Sequence, residues 1–409
     1  MVCKQAYATP IRENTLLFEP FFDREFSLPV RERAGVRGRC KFFSPSPHSS
    51  PIKGGDVTGQ LGSGFVVVLL LFFLSAVMPV PVYSQSLSQL IDGAKKEGTL
   101  NLSWGTGTMG GIEGVQAMEK VFNKNYGLNF QFKYAPGPAM PQFASRIIQE
   151  AKAGQPASSD LFIGSENHVA RMSLKKLDWT KTFPHISRPM VDWEGRVLIV
   201  VSRTPGLTYN TNLIAANEVP QKVEDLLNPK WKGKIASTPY AASFDRLALI
   251  WGEEKATAFL QKFVKQVAGL IRCGEEERIL NGEFALMAFN CDLADANEMR
   301  EKGAPVNGKI FKDAGILSYW YLAVPSNSAH PNAASLLAAL LLSKEGQDIL
   351  WKSEKTSSHL VDGTYMYKFV KEQERQGVKF YANPVSEVVK NQENQSRLRQ
   401  KFQDILMGK

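Results

Sequence analysis

The sequence contains few of the residues that usually carry out catalysis or hold metal ions. Among 409 residues there are 4 cysteines and 5 histidines, and the histidines are dispersed along the chain. It has no C-x-x-C pair, no H-E-x-x-H motif, no G-x-S-x-G elbow and no G-x-x-x-x-G-K-[ST] loop. These absences argue against a zinc site, a serine hydrolase and a P-loop nucleotide site. We therefore predict no catalytic residues, no metal centre and no cofactor, and we expect that the protein is not an enzyme.

The charge is basic overall but is not patterned for nucleic acid. The formal net charge is +9 at pH 7, with 44% hydrophobic and 22% charged residues. We find no run of lysine and arginine interleaved with aromatic residues, so we expect no nucleic-acid partner. The composition is that of a globular protein, and the length allows two domains with substantial cores.

One long uncharged run occurs in the N-terminal part of the chain. "FVVVLLLFFLSAVM" spans residues 65–78, which is short for a bilayer-spanning helix and typical of a signal-peptide core. Val82 and Ser84 occupy the small-residue positions of a cleavage site, so we predict a signal region over 64–84 and cleavage before Gln85. The expected location is the periplasm or the extracellular space.

The residues before this run are longer than a signal peptide requires. The charged leader of a signal peptide normally has a few residues, whereas this segment extends over residues 1–63 and is rich in Arg, Ser and Pro. We interpret them as an unfolded leader, or as the product of a start site assigned too far upstream. An uncleaved signal anchor with a genuine cytoplasmic tail is the alternative.

Strand-like apolar runs alternate with amphipathic helical stretches after residue 85. This alternation predicts an α/β fold with mainly parallel sheets. The predicted strands are "TLNLSW", "NFQFKY", "SDLFIG", "VLIVVS", "GLTYN", "KIAS", "ALMAFN" and "SYWYLAV". In the predicted helix "IEGVQAMEKVFNKN", Val115, Met118, Val121 and Phe122 recur at the three-and-four spacing of one buried face.

A glycine-rich loop follows the first predicted strand. Gly105 to Gly110 reads G-x-G-x-x-G, the fingerprint of dinucleotide-binding enzymes. The acidic residue that would hold the ribose about 20 residues further on is missing, because no Asp or Glu occurs between Lys120 and Gln149. One interpretation is a loop whose amides and helix N-terminus receive a carboxylate or phosphate. A tight turn without a ligand is the other.

Two adjacent segments carry a resemblance to a known family. "LTYNTNLI" and "VPQKVEDLLNPKWKGKIAS", within Leu207 to Ser237, closely resemble extracellular solute-binding proteins of ABC importers, in the branch that includes ferric-iron, putrescine and thiamine binders. "GEFALMAFNCDLADA" and the short "FQDILMG" end support the resemblance, which covers nearly all of residues 90–409. It implies a two-lobe, type II periplasmic-binding fold joined by two crossing strands. Lobe one would be 90–202 plus 324–409, and lobe two 207–320.

The resemblance also implies where the ligand lies. In open parallel sheets, ligands sit beyond the carboxyl ends of the strands. The candidate ligand-binding residues at these ends and at the crossing are Trp104, Gly105, Thr106, Gly107, Ser165, Tyr209, Tyr240, Ser243, Asp245, Asn290 and Asp292. Trp104 and Tyr240 would stack against a ligand, whereas Ser243 or Asp245 would equally serve to cap the following helix.

Departures from the family pattern bear on the ligand. Iron-binding members carry adjacent tyrosines at the position of Phe289 and Asn290, because ferric iron needs several anionic oxygen ligands. No such pair occurs here, so a small organic ligand is favoured over iron. The sign of its charge stays open, since acidic residues favour an amine and basic ones an anion: Asp245, Asp292 and Asp295 against Arg246 and Arg272.

We predict an exported solute-binding protein that captures a small solute between its lobes and delivers it to the permease and ATPase subunits of an ABC importer. The alternatives are a ferric-iron-binding member, an enzyme on the same scaffold, and a membrane-tethered sensor domain kept by an uncleaved 65–78. The membrane is expected to be contacted only through the importer or that segment.

The resemblance would place Cys273 and Cys291 at neighbouring strand ends, which leaves a disulfide or two free thiols as alternatives.

Overall fold

The computed structural model of the protein describes residues 85–408, and the predicted leader and signal region lie outside them. In the described part of the chain, no helix is both long enough and apolar enough to cross a membrane. The α-helices are α1 Leu87–Glu97, α2 Gly111–Tyr126, α3 Met140–Lys152, α4 Glu166–Val169, α5 Trp179–Thr182, α6 Ala242–Trp251, α7 Glu253–Phe263, α8 Glu277–Leu280, α9 Leu293–Glu301, α10 Pro331–Leu341, α11 Lys344–Glu354, α12 Tyr365–Arg375, α13 Val385–Lys390 and α14 Gln392–Leu406. The strands are β1 Leu100–Leu102, β2 Phe132–Tyr134, β3 Phe162–Gly164, β4 Val191–Asp192, β5 Val197–Arg203, β6 Leu207–Asn210, β7 Ile235–Ser237, β8 Val267–Leu270, β9 Leu286–Ala288, β10 Val306–Lys309, β11 Gly315–Ala323 and β12 Phe380–Ala382.

Each of the predicted strands forms, because each is an apolar run flanked by turn residues. The predicted helical stripe also packs as expected, since Val115, Met118 and Phe122 are buried and Val121 is half-buried. The strands that the sequence does not predict are β4, β8, β10 and β12. They are short, and "VAGL" and "VNGK" of β8 and β10 contain glycine, which is depleted in strands.

Two large apolar cores organise the described residues. The first core draws on residues from Leu90 to Val201 and from Tyr321 to Val385. The second core is formed mainly by residues from Leu207 to Ala314. The chain therefore passes from the first core to the second between β5 and β6, and it returns to the first core along β11.

Each core is built on a mixed sheet. Strands of the first are ordered β12-β11-β5-β4 with β3 also paired to β11, and strands of the second are ordered β10-β6-β9-β7-β8. The crossing strands β5 and β6 pair only with antiparallel neighbours, and β11 is antiparallel to β5 and β3 but parallel to β12. Strand β7 pairs in parallel with both β8 and β9. Because crossing strands return the chain to a sheet from the other core, the sheets are less parallel than the sequence predicts.

The C-terminal helix α14 packs on the second core. Its residues Leu398, Phe402 and Leu406 belong to that core, and α14 contacts α6 and α7. The preceding helix α13 contacts α4, and its Val385 belongs to the first core. The sequence assigns 324–409 to lobe one as a block, whereas the chain makes a third passage between the cores near Asn391.

Candidate functional site

Trp104, predicted to stack against a ligand, is a core residue. Its side chain is fully buried, and its Nε1 donates a hydrogen bond to the carbonyl oxygen of Leu161 at 2.9 Å. The indole also packs against Tyr134, with ring centroids 6.1 Å apart. The indole therefore has no free face in this arrangement, and the exposed backbone of Thr106 and Gly107 borders the solvent instead.

The glycine-rich loop binds a carboxylate, and that carboxylate belongs to the protein. The backbone N–H of Met109 donates to Oε2 of Glu354 at 2.9 Å. Gly110 lies so close to Ser353 that a Cβ on the glycine would be 2.2 Å from the serine Cβ. The glycine is therefore required because α2 begins against the end of α11.

Arg203 joins the two cores electrostatically at the end of β5. Its Nε donates to Oδ2 of Asp292 at 3.1 Å, and its Nη2 lies 3.9 Å from Oδ2 of Asp295. Burial raises the pKa of the Glu276 and Glu354 carboxyls and the charge of Arg203 opposes this rise, so we group these two residues with it. Glu354 comes from α11 of the first core, and the other carboxyls come from segments around the second sheet. We call these five residues the Arg203 cluster.

Burial dominates the protonation of this cluster. Although the Asp295 side chain is only partly buried, this burial raises its pKa to about 7, and Arg203 acts in the opposite direction. Burial also raises the pKa of Glu354 to about 7, against the hydrogen bond from Met109 and the charge of Arg203. The pKa of Glu276 is raised by burial as well. One guanidinium thus faces four carboxyls, of which Asp292 is the one that it contacts most closely.

Arg246 makes the second ionic connection between the cores. Its Nη2 donates to Oε1 of Glu166 at 2.6 Å, which joins α6 of the second core to α4 beside the first sheet. Next to it, Nε of Arg399 on α14 donates to Oδ2 of Asp245 at 2.8 Å. Burial raises the pKa of Asp245, and the two guanidinium groups oppose this rise. We call Glu166, Asp245, Arg246 and Arg399 the Arg246 cluster.

Two predicted ligand residues lie beside this second cluster as helix-forming residues. Ser165 begins α4, with its Oγ 3.1 Å from Nδ1 of His168 in a capping arrangement. Ser243 lies buried within the first turn of α6. Tyr240 precedes α6 and stays 41% exposed, so its ring is free to meet a ligand.

Tyr209, another predicted ligand residue, lines a separate cavity. This cavity has a volume of about 300 Å³ and is bordered by Leu293, Asn297, Lys309 and Gln376 among others. Its lining shares no residue with the Arg203 cluster or the Arg246 cluster. The structure therefore does not bring Tyr209 together with the other predicted ligand residues.

The position that carries tyrosines in iron-binding relatives has a structural role here. Phe289 is buried in the second core. Asn290 accepts a hydrogen bond from the Gly206 amide at 2.7 Å through Oδ1 and donates to Oγ1 of Thr208 at 2.8 Å through Nδ2. Its side chain therefore ties β9 to the crossing segment and has little capacity left for a ligand.

Asp292 also has a structural role, as the cap of α9. Its Oδ1 accepts from the amides of Thr204 and Ala294 at 3.1 and 3.3 Å. Next to it, Cys291 forms a disulfide with Cys273, with Cα atoms 5.8 Å apart. The disulfide links the segment of Asp292 to the segment that leads into α8. Among residues 85–408, no group of three His, Cys, Asp or Glu side chains is arranged to hold a metal ion.

Sequence reasoning missed Arg203, Glu276 and Glu354 as site residues. Arg203 was detectable, because it is the one charged residue at the end of the apolar run "VLIVVSR" and directly precedes the predicted crossing. Glu276 lies in the charged stretch "GEEER" and Glu354 in "KSEK". Such stretches are typical of solvated surface, so their burial follows only from the tertiary fold.

Two cores joined by crossing strands, with charged side chains between them, define a two-lobe α/β binding protein of the type II periplasmic class. The chain belongs to the bacterial extracellular solute-binding proteins, since the model of that family matches residues 165–397. Proteins of this family capture solutes outside the cytoplasm, and this chain is a solute-binding protein of that kind. The predicted family, fold class and function class are confirmed.

Individual relatives are distant in sequence and close in fold. The chain is 24% identical over 261 residues to the major ferric iron-binding protein of Neisseria meningitidis serogroup A, covering 58% of this chain and 75% of that protein. The iron-bound structure of HitA from Pseudomonas aeruginosa matches 75% of this chain and 99% of its own, with 20% identity and a TM-score of 0.57. AfuA from Actinobacillus pleuropneumoniae with fructose-6-phosphate bound matches 76% and 98%, with 18% identity and a TM-score of 0.58.

Proposed function

We propose that this chain is the exported receptor of an ABC importer and that it captures an organic solute between its two lobes, at the Arg203 cluster. The observation that carries this proposal is the position of the cluster, which takes Glu354 from the first core and its other carboxyls from around the second sheet. A ligand bound there contacts both lobes, so it favours their closed arrangement over the open one. The importer distinguishes the closed, ligand-bound arrangement of the lobes from the open one.

The packing supports a division of the chain into lobes. We propose that lobe one contains the first core and lobe two the second core, with residues 204–206 and β11 as the crossings. We assign α14 to lobe two, together with residues 207–314, because its apolar face packs on the second core. Its Arg399 then belongs to the same lobe as Asp245, with which it is paired.

Export and partners complete the proposal. The predicted signal region 64–84 directs secretion, and cleavage before Gln85 releases a chain that begins just before α1. The partners are the permease and ATPase subunits of the importer. The protein acts by binding and release, without catalysis.

An organic ligand is favoured over ferric iron. Ferric iron requires several anionic oxygen ligands in one coordination sphere. Asn290 is committed to the Gly206 amide and to Thr208, and Phe289 lies in the core. Ferric iron is the second candidate because the relatives from Neisseria meningitidis are named for it.

A thermal-shift screen of metal-free protein distinguishes the two candidates. The panel contains ferric iron, polyamines, amino acids, phosphonates and small carboxylates. A true ligand at 100 times its dissociation constant adds about 2.7 kcal/mol of stability, which raises the melting temperature by a few degrees. We expect a shift with an organic member of the panel. A shift with ferric iron alone would replace the organic proposal with the ferric one.

A further inference from the structure

We infer that the solute carries a protonated amine, received by the carboxylates of Glu276, Asp295 and Glu354 in the Arg203 cluster. This inference rests on the proposed function, because it names the class of solute for the site proposed above. It is carried by three independent features of the cluster, which are its charge, an unpartnered buried oxygen and its access to solvent.

The first feature is an excess of acidic groups. Within residues 85–408, Arg203 is the one basic side chain that forms a salt bridge with any of the four carboxyls, and its shortest ionic contact is with Asp292 at 3.1 Å. Asp295 is next at 3.9 Å, and Glu276 and Glu354 make no salt bridge within residues 85–408. When ionised, the cluster thus has three carboxylates more than it has cations.

The second feature is a buried oxygen without a partner. Glu276 is 4% exposed, and its Oε1 accepts no hydrogen bond from any described residue. A buried carboxylate oxygen without a donor is costly, and the native arrangement normally supplies one. The hydroxyl of Tyr134, whose pKa is raised by burial and by the nearby Glu354, is likewise buried and unpartnered. A ligand with N–H donors would supply the hydrogen bonds that these two oxygen atoms lack.

The third feature is a route from solvent to the cluster. The side chain of Asp295 is 36% exposed and that of Arg203 is 19% exposed. Thr106 and Cys273, which belong to the loops on either side, are exposed as well. Solvent therefore reaches members of the cluster to which the buried Glu276 belongs.

An amine fits these features better than an anion or a hard metal ion. An ammonium group brings a positive charge and up to three N–H donors without a fixed coordination geometry. A carboxylate or phosphate would meet the excess carboxylates, and the loop amide of Met109 that would receive it is already bonded to Glu354. Within residues 85–408, no group of three His, Cys, Asp or Glu side chains is arranged to hold a metal ion.

The experiment is a binding series with matched probes at pH 8. Butylamine and 1,4-diaminobutane are compared with butanol and butyrate by isothermal titration calorimetry on the purified protein. We expect heat of binding with at least one amine and none with butanol or butyrate. Binding of butyrate without any amine would overturn the amine inference and leave the proposed receptor function intact. Failure of these probes together with the whole thermal-shift panel would overturn both.

Matched variants assign the binding to the cluster. Glu276→Gln and Glu354→Gln remove a negative charge and keep the size of the side chain, and we expect each to weaken amine binding at least tenfold. Glu277→Gln is the control, because Glu277 is exposed next to Glu276. It should bind like the parent protein. Unchanged affinity in both cluster variants, with melting temperatures at or above that of the parent, would contradict the inference.

Discussion

The two ionic clusters between the cores differ in charge balance. The Arg246 cluster pairs two guanidinium groups with two carboxyls, and Glu166 and Arg246 are almost fully buried. The Arg203 cluster has one guanidinium group and four carboxyls, with pKa values of about 7 for Asp295 and Glu354. Both clusters join elements of the two cores, yet only in the Arg246 cluster do the positive and negative groups balance.

This difference indicates two roles. A balanced and buried cluster satisfies its charges within the protein and therefore acts as a connection between the lobes. In the unbalanced cluster, burial raises the pKa of Asp295 and of Glu354 to about 7, and these carboxyls are available to pair with a cation from outside. The following changes test this contrast, beginning with the largest expected effect on the free energy of unfolding.

Breaking the balanced cluster should destabilise the protein most. Arg246→Met leaves the buried Glu166 carboxylate without its 2.6 Å partner, which costs about 3–5 kcal/mol in buried pairs. Urea unfolding followed by circular dichroism measures the loss. The double variant Glu166→Met/Arg246→Met is the matched control, and it should recover much of the stability because no unpaired charge remains. A single variant within about 1 kcal/mol of the parent would show that the pair is not a structural connection.

Removing the disulfide should have the next largest effect, and it should act on the unbalanced cluster. The bond between Cys273 and Cys291 closes a loop with a sequence separation of 18, for which the loss is about 3 kcal/mol in the chain-entropy model. The variant Cys273→Ser/Cys291→Ser should also bind amines more weakly, because the loop carries Glu276. Stability is measured by urea unfolding and binding by calorimetry. Full stability of the double variant would contradict this role.

Removing one excess carboxyl should stabilise the ligand-free protein at high pH. The folded-state pKa of Glu354 is raised from 4.5 to about 7, so the folded protein holds this proton more tightly than the unfolded chain. The resulting stability is complete below pH 4.5 and is lost as the pH rises through about 7.

Glu354→Gln removes this loss and keeps an acceptor for the Met109 amide. Between pH 5 and pH 8 the parent should lose about 1 kcal/mol more than the variant, which is less than the full shift implies because water reaches part of the cluster. Unfolding in urea at both pH values measures it, with the exposed Glu393→Gln as control. Equal pH dependence in parent and Glu354→Gln would contradict the assignment.

The smallest expected effect on stability is at Tyr240. Its side chain is 41% exposed, so Tyr240→Ala should change the free energy of unfolding by about 0.5 kcal/mol or less. If the ring stacks on the solute, as the sequence predicts, the affinity for the ligand falls in the same variant. Calorimetry with the amine that binds the parent measures this, and unchanged affinity would remove Tyr240 from the predicted ligand residues.

The fold was largely predictable because apolar periodicity and turn residues are local signals. The strands β5 and β6, the crossing after Arg203 and the stripe of α2 are all visible in the sequence. The position of α14 was not predictable, since its apolar face shows that it packs and not which core it packs against. Only the tertiary arrangement places Leu398 and Phe402 on the second core.

The candidate site was predictable only in part. The strand ends indicate Asp292 as a ligand residue, which stays a prediction, whereas in the structure Asp292 caps α9 and pairs with Arg203. Trp104 was misinterpreted because a tryptophan at a strand end looks the same in sequence whether its indole faces a ligand or the core. The glycine-rich loop was interpreted either as a site for an anionic ligand or as a turn without a ligand, and the carboxylate that its Met109 amide contacts, Glu354, lies 245 residues away in sequence.

A crystal structure of the protein with its bound amine shows whether the solute binds at the Arg203 cluster. We expect the ammonium nitrogen within about 3.2 Å of Oε1 of Glu276, with Glu354 or Asp295 as a second acceptor. We also expect that the pairing of Arg246 with Glu166 is retained. An amine found in the cavity beside Tyr209, or at the Arg246 cluster, with Glu276 still unpartnered, would contradict the account.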